Sequence, residues 1–91
     1  MGRATREKPA RLAEKLVQIR QTLGLSQDEI IRLMGLTARL SRDDISKYER
    51  GVREPSLPVL LKFAQVAGVC LDLLVNDELN LPVKLPSKPK H

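Results

Sequence analysis

Between residues 9 and 77 apolar side chains recur at intervals of three and four, and glycines interrupt the pattern at 24, 35, 51 and 68. Leu12, Leu16, Ile19 and Leu23 follow one another at spacings of four, three and four, the period of one buried helix face. Pro9 suits the first turn of this helix, and Gly24 ends it as a left-handed cap. Ser26 stands three residues before Glu29, a pairing in which each side chain satisfies the other's free amide. A second helix is therefore predicted over residues 27–34, stopping at Gly35. Ser41 begins a third, with Ile45 and Tyr48 inward and Gly51 as its stop. A fourth follows Ser56, tolerates Pro58 in its first turn, and turns Leu57, Leu60, Leu61, Ala64 and Ala67 toward the core before Gly68. The stretch "CLDLLVN", Cys70 to Asn76, predicts a short fifth helix.

No β-branched alternation occurs before residue 79, so the fold class is all-α with five helices. The tail changes period. Leu79, Leu81, Val83 and Leu85 alternate with Asn80, Pro82 and Lys84, a strand pattern that its internal proline confines to an edge. Its apolar residues share one face, which predicts pairing with the same segment of a second copy. The final "PSKPKH" is expected to be disordered. At the other end "MGRATREK" is basic and without apolar period; it reads as a solvated arm or, alternatively, as an arm that touches phosphate. The organisation is thus an arm at 1–8, a helical domain at 9–77 and a tail at 78–91.

With 91 residues the chain has room for one small domain. Its 16 Lys and Arg against 11 Asp and Glu give a formal charge of +5, which favours a polyanionic partner. Tyr48 and Phe63 are the only aromatics, too few to bind single strands by stacking. Duplex phosphate is the better match. Cys70 is the sole cysteine, so neither an internal disulfide nor a cysteine zinc cluster can form. His91 is the sole histidine and ends the chain. No catalytic, metal or cofactor residues are predicted, and an enzyme is not expected. No apolar run reaches the roughly 20 residues that span a bilayer, and none resembles a signal peptide; a cytoplasmic protein, nucleoid-associated when bound to DNA, is expected.

Two helices joined by a turn, the second with polar side chains outward, form the plan of a helix-turn-helix. The segments "LGLSQDEI", "ISKYERG", "EPSLPVLLKFAQVAGV" and "LDLLVND" occur in this order. Over roughly residues 11–77 they resemble the lambda-repressor-like helix-turn-helix family, the phage repressor, Cro and XRE type. The resemblance implies a sequence-specific regulator of transcription that binds double-stranded DNA, a dimeric repressor on a palindromic operator. Two alternatives stand beside it: the antitoxin of a toxin–antitoxin pair, with a toxin as protein partner, and a protein-interaction module with weak DNA affinity.

The resemblance also implies roles. Gln27 matches a glutamine that holds phosphate and buttresses the recognition helix. Ser41, Arg42, Asp43, Ser46 and Lys47 match positions that contact base edges, and Arg53 one that contacts sugar-phosphate, the alternative for Arg53 being a solvated loop charge. Arg20 and Glu49 match a buried ion pair between the first and third helices. Independently, with Ile45 and Tyr48 inward, a turn of about 100° per residue carries Asp43, Ser46, Lys47 and Arg50 outward and Arg42 to the flank. Asp43 and Asp44 fall in a first helical turn, where carboxylates favour the helix dipole by about 0.3–1 kcal/mol; for Asp43, reading of cytosine N4 stands equally. Val59, Val66 and Leu73 are apolar where relatives often have polar or small residues, and with Leu79, Leu81 and Val83 they form the expected dimer interface, the alternative for Val59, Val66 and Leu73 being the filling of an ordinary core.

The chain departs from the family at the turn. Residues 36–39, "LTAR", are an insertion between Gly35 and Leu40. Either the turn is enlarged, with Arg39 near phosphate, or Thr37 caps a longer recognition helix. The longer helix would put Leu40 about 140° from Ile45 and off the inner face, which favours the enlarged turn.

Overall fold

A computed structural model describes residues 9–85. Five helices follow one another: α1 (Leu12–Leu23), α2 (Gln27–Met34), α3 (Arg42–Glu49), α4 (Leu57–Ala67) and α5 (Leu71–Val75). No strand occurs among the described residues. The basic arm 1–8 and the end of the tail, 86–91, lie outside them.

Local chemistry sets most of the boundaries. The Ser26 hydroxyl accepts from the Glu29 amide while the Glu29 carboxylate accepts from the Ser26 amide, closing the box that starts α2. Ser41 and Asp44 repeat the arrangement at α3, with aspartate in the place usually taken by glutamate. Gly35 ends α2 at φ 73°, a left-handed conformation that costs glycine least.

α1 packs against α3, α4 and α5, and α2 against α3 and α4. Leu16, Ile19, Leu23, Ile30, Ile45, Phe63 and Leu74 are almost wholly buried between them. Each such side chain contributes about 1.5–3 kcal/mol relative to exposure. No helix among the described residues is long and apolar enough to cross a membrane.

Several expectations are corrected. α1 starts at Leu12 rather than in the turn at Pro9, because the Asp77 carboxylate accepts from the amides of Ala10 and Arg11 at 2.9 and 3.0 Å. The cap of the first helix thus comes from the far end of the domain. The α4 stripe is Leu60, Phe63, Ala64 and Ala67, whereas Leu57 is 65% exposed and Leu61 lies on the flank. The larger aromatic takes the central place. Cys70, expected from its place before the fifth helix to be a small buried or capping residue, is exposed and makes no side-chain cap.

Lys15 was not singled out by its sequence, yet it is fully buried. Its ammonium donates to the carbonyls of Leu73 at 2.7 Å and Asn76 at 2.9 Å, satisfying acceptors freed at the end of α5. Burial, and then the neighbouring Arg11 charge, hold this ammonium below the usual lysine range; Asp77, Glu14 and Asp72 oppose them.

The tail is the largest correction. Residues 79–85 form no strand within the chain, and their apolar residues do not share an outward face. Leu81 and Leu85 are buried in the protomer's own core, Leu79 is half-buried, and Val83 is 94% exposed. Leu81 and Leu85 belong to the same hydrophobic cluster as the inner faces of the helices.

Candidate nucleic-acid interface

The link between α2 and α3 is an enlarged turn. After Gly35 the amides of Arg39 and Leu40 both donate to the carbonyl of Leu36 at 2.9 Å, making a single helical loop. Leu36 and Leu40 pack against the core at its two ends, while Thr37, Ala38 and Arg39 are exposed. The insertion is thereby anchored by its own leucines. Thr37 caps nothing, and α3 begins after Ser41.

α3 is held at both ends. Toward its C-terminus, Glu49 receives two hydrogen bonds from the Arg20 guanidinium, Nε to Oε2 at 2.6 Å and Nη2 to Oε1 at 3.0 Å. Gln27, first residue of α2, adds a third from Nε2 to Glu49 Oε1 at 3.2 Å. Arg20 Nη1 also donates to the Leu25 carbonyl at 3.0 Å, so one guanidinium ties α1, the link to α2, and α3. Side-chain exposures of 19% for Arg20 and 8% for Glu49 shield the pair from solvent screening.

At the N-terminus, Asp44 Oδ2 accepts from the Ser41 amide at 2.8 Å and its hydroxyl at 3.2 Å, while Oδ1 faces Arg53 Nη1 at 3.0 Å. The backbone hydrogen bond from Ser41, then its hydroxyl and Arg53, draw this carboxyl below its ordinary 3.8, against a smaller opposing effect of burial. Asp44 is a structural residue that caps α3 and reaches the loop beyond Gly51. Arg53 is thereby held beside the start of α3 rather than alone in the loop.

Ile45 and Tyr48 point into the core. Turned the other way are Arg42, Asp43 and Arg50, all exposed, with Ser46 and Lys47 partly exposed beside them. Lys47 pairs with Asp43 one turn earlier at 3.1 Å, Arg50 Nε donates to the Ser46 hydroxyl at 3.2 Å, and Arg42 Nε lies 3.8 Å from Asp28 of α2. Ser41 is exposed but committed to its cap. The fold thus gathers Arg42, Asp43, Ser46, Lys47, Arg50 and Arg53 about α3, with Arg39 on the adjoining turn and Gln27 directed to the brace. Asp28 escaped the sequence reading because its partner belongs to another helix.

This is a rigid helix with short polar and long cationic side chains on its free face, suited to hydrogen bonding at a groove edge and to neutralising phosphate. Among the described residues no group of three or more His, Cys, Asp or Glu could hold a metal ion.

A family model described as "Helix-turn-helix" matches residues 16–74, which include α2, the enlarged turn and α3. The chain belongs to the helix-turn-helix family. Within the lambda-repressor-like branch of that family, it is 36% identical over 62 residues to the SPbeta prophage-derived uncharacterized HTH-type transcriptional regulator YonR of Bacillus subtilis (strain 168). The matched segment is 68% of this chain and 54% of the relative, so the chain spans about half the length of the curated relative it matches. No solved structure matches the chain. Within the matched range the turn between α2 and α3 is packed by Leu36 and Leu40, and α3 is braced by Arg20, Gln27 and Glu49.

Of the residues assigned to a dimer contact, Val59, Val66, Leu73 and Leu79 are half-buried and Val83 is exposed. Leu81 is buried within the protomer.

Proposed function

We propose that the chain is a sequence-specific regulator of transcription, a dimeric repressor that lays α3 in the major groove of double-stranded DNA. The observation that carries this reading is the braced α3, whose free face presents Arg42, Asp43, Ser46, Lys47 and Arg50 while Glu49 is fixed by Arg20 and Gln27. Base edges are read by Arg42, Ser46 and Lys47; Arg39, Arg50 and Arg53 meet phosphate. Ser41 serves chiefly to start the helix, and Gln27 to hold it.

One such domain covers one half-site, so two copies related by a two-fold axis read a palindrome with half-sites about 34 Å apart. Val59, Val66 and Leu73, which pack at the edge of the core, and Leu79 and Val83 of the tail are the apolar residues assigned to that contact. The relative's printed description as a transcriptional regulator supports the regulatory role.

The test is selection of bound fragments from genomic DNA by the full chain, followed by measurement of affinity against salt. Enrichment of one palindromic sequence, with log affinity falling by about 0.9 per log unit of salt for each phosphate neutralised, is the expected result. Absence of any enriched sequence, with salt-independent retention of protein partners instead, would overturn the reading in favour of a protein-interaction module.

A further inference from the structure

The basic residues of the proposed DNA face do not stand alone. Arg42 lies 3.8 Å from Asp28, Lys47 3.1 Å from Asp43, and Arg53 3.0 Å from Asp44. Two cations of α3 and one of the loop after it each have a different carboxylate, supplied by α2 in one case and by the first turn of α3 in the other two. The number of cations at this face therefore overstates the positive charge it offers to phosphate.

Building on the DNA-binding reading, we propose that Asp28 and Asp43, with Asp44 behind them, are specificity-determining residues: they occupy the cations of the interface as phosphate does and so suppress binding to non-cognate duplex. Non-specific binding arises almost entirely from phosphate neutralisation. A cation already compensated by a carboxylate neutralises less, and the carboxylate repels the incoming phosphate. On the cognate sequence Arg42 and Lys47 leave these carboxylates for base edges, and the directed hydrogen bonds gained there offset the pairs broken, which a phosphate contact alone does less well. Affinity for the wrong sequence consequently falls more than affinity for the right one.

The pairs are too exposed to lock the side chains. Arg42 and Asp28 are 71% and 56% exposed, and pairs of this kind change equilibria by only about two- to fivefold. Their effect is a graded bias across three positions rather than a closed state. Asp44 also caps α3, so its removal would confound helix stability with charge; Asp28 and Asp43 take no part in the capping boxes of α2 and α3 and are the positions to test.

The experiment measures anisotropy of two labelled 20-base-pair duplexes, one of mixed sequence and one carrying the selected palindrome, with the full chain across a salt series. Asp28→Asn and Asp43→Asn should each tighten binding to the mixed duplex by about two- to fivefold, steepen its salt dependence, and tighten the palindrome complex less. The Asp28→Asn gain should shrink in an Arg42→Ala background, leaving only the relief of repulsion. Wild-type affinity of both variants for both duplexes, an equal gain on the two, or an undiminished gain in Arg42→Ala would overturn the inference while leaving DNA binding intact. Failure of the wild-type chain to bind either duplex would instead overturn the DNA-binding reading, and this inference with it.

Discussion

The Arg20 guanidinium and the Glu49 carboxylate meet along two parallel hydrogen bonds at 2.6 and 3.0 Å, joining α1 to the last turn of α3. Removing one partner leaves a charge in a largely buried position without compensation. Arg20→Ala should therefore cost about 3 kcal/mol, near the lower end for broken buried pairs. Arg20→Met with Glu49→Leu should recover most of that stability in urea titrations, yet not DNA affinity, because the Gln27 contact to Glu49 is also lost. Recovery of both would show that apolar packing alone can aim α3.

Lys15→Met should destabilise through two carbonyls rather than through lost volume. Leu73 O and Asn76 O would lose their ammonium donor, at about 1–3 kcal/mol for each acceptor left dry. Hydrogen exchange should accelerate first at the amides of α5. Unchanged urea stability would mean that water replaces the ammonium at no cost.

Acid should weaken the fold through Asp44 and Asp77. Both carboxyls lie below their ordinary 3.8 in the folded chain, Asp44 chiefly through the Ser41 amide and Asp77 through the amides of Ala10 and Arg11. A depressed folded value means that the unfolded chain binds more protons in this window. Their stabilisation is present above pH 3.8 and is lost as pH falls from there through the folded values. Asp44→Asn should flatten that part of a plot of unfolding free energy against pH; a slope identical to wild type would contradict the assignment.

Arg42→Ala and Lys47→Ala should each reduce discrimination between the selected palindrome and mixed duplex by about 1–3 kcal/mol if these side chains reach bases. Measured affinities for both duplexes decide this. Equal losses on the two would make them phosphate contacts.

Leu81→Ala should cost about 2–5 kcal/mol, as for other leucines removed from a packed core, since Leu81 is 6% exposed. Val83→Ala, at 94% exposure, should leave monomer stability unchanged and weaken self-association if the exposed tail meets a second copy. Sedimentation and thermal melting separate the two effects. Deletion of residues 78–91 should now lower stability as well as association, because it removes Leu81 and Leu85 from the core.

The helix boundaries were legible because caps are local. Ser26 with Glu29, Ser41 as a cap, and the glycines at 35 and 68 act over three or four residues, within reach of the chain's own geometry. The period of α1, the inward Ile45 and Tyr48, and hence the free face of α3, follow from the same short-range rules. The direction of the enlarged turn was legible too, since Leu40 suits an anchor better than a position in a longer helix.

Tertiary structure decided whatever depends on residues distant in sequence. Lys15 reads as one more helical lysine until α5, 58 residues away, delivers its carbonyls. Asp77 becomes the cap of α1 across 67 residues. Alternation in 79–85 implied a strand, but period describes only which side chains could share a face; available core volume drew Leu81 and Leu85 inward and left Val83 in solvent. On α4 the same competition placed Phe63 centrally and Leu57 outside. The Asp28 contact with Arg42 needed α2 and α3 to be set at their final angle. Sequence determined which segments are helical because hydrogen bonding within a helix is short-range, whereas the partner of each long side chain was fixed only when packing brought separate helices together.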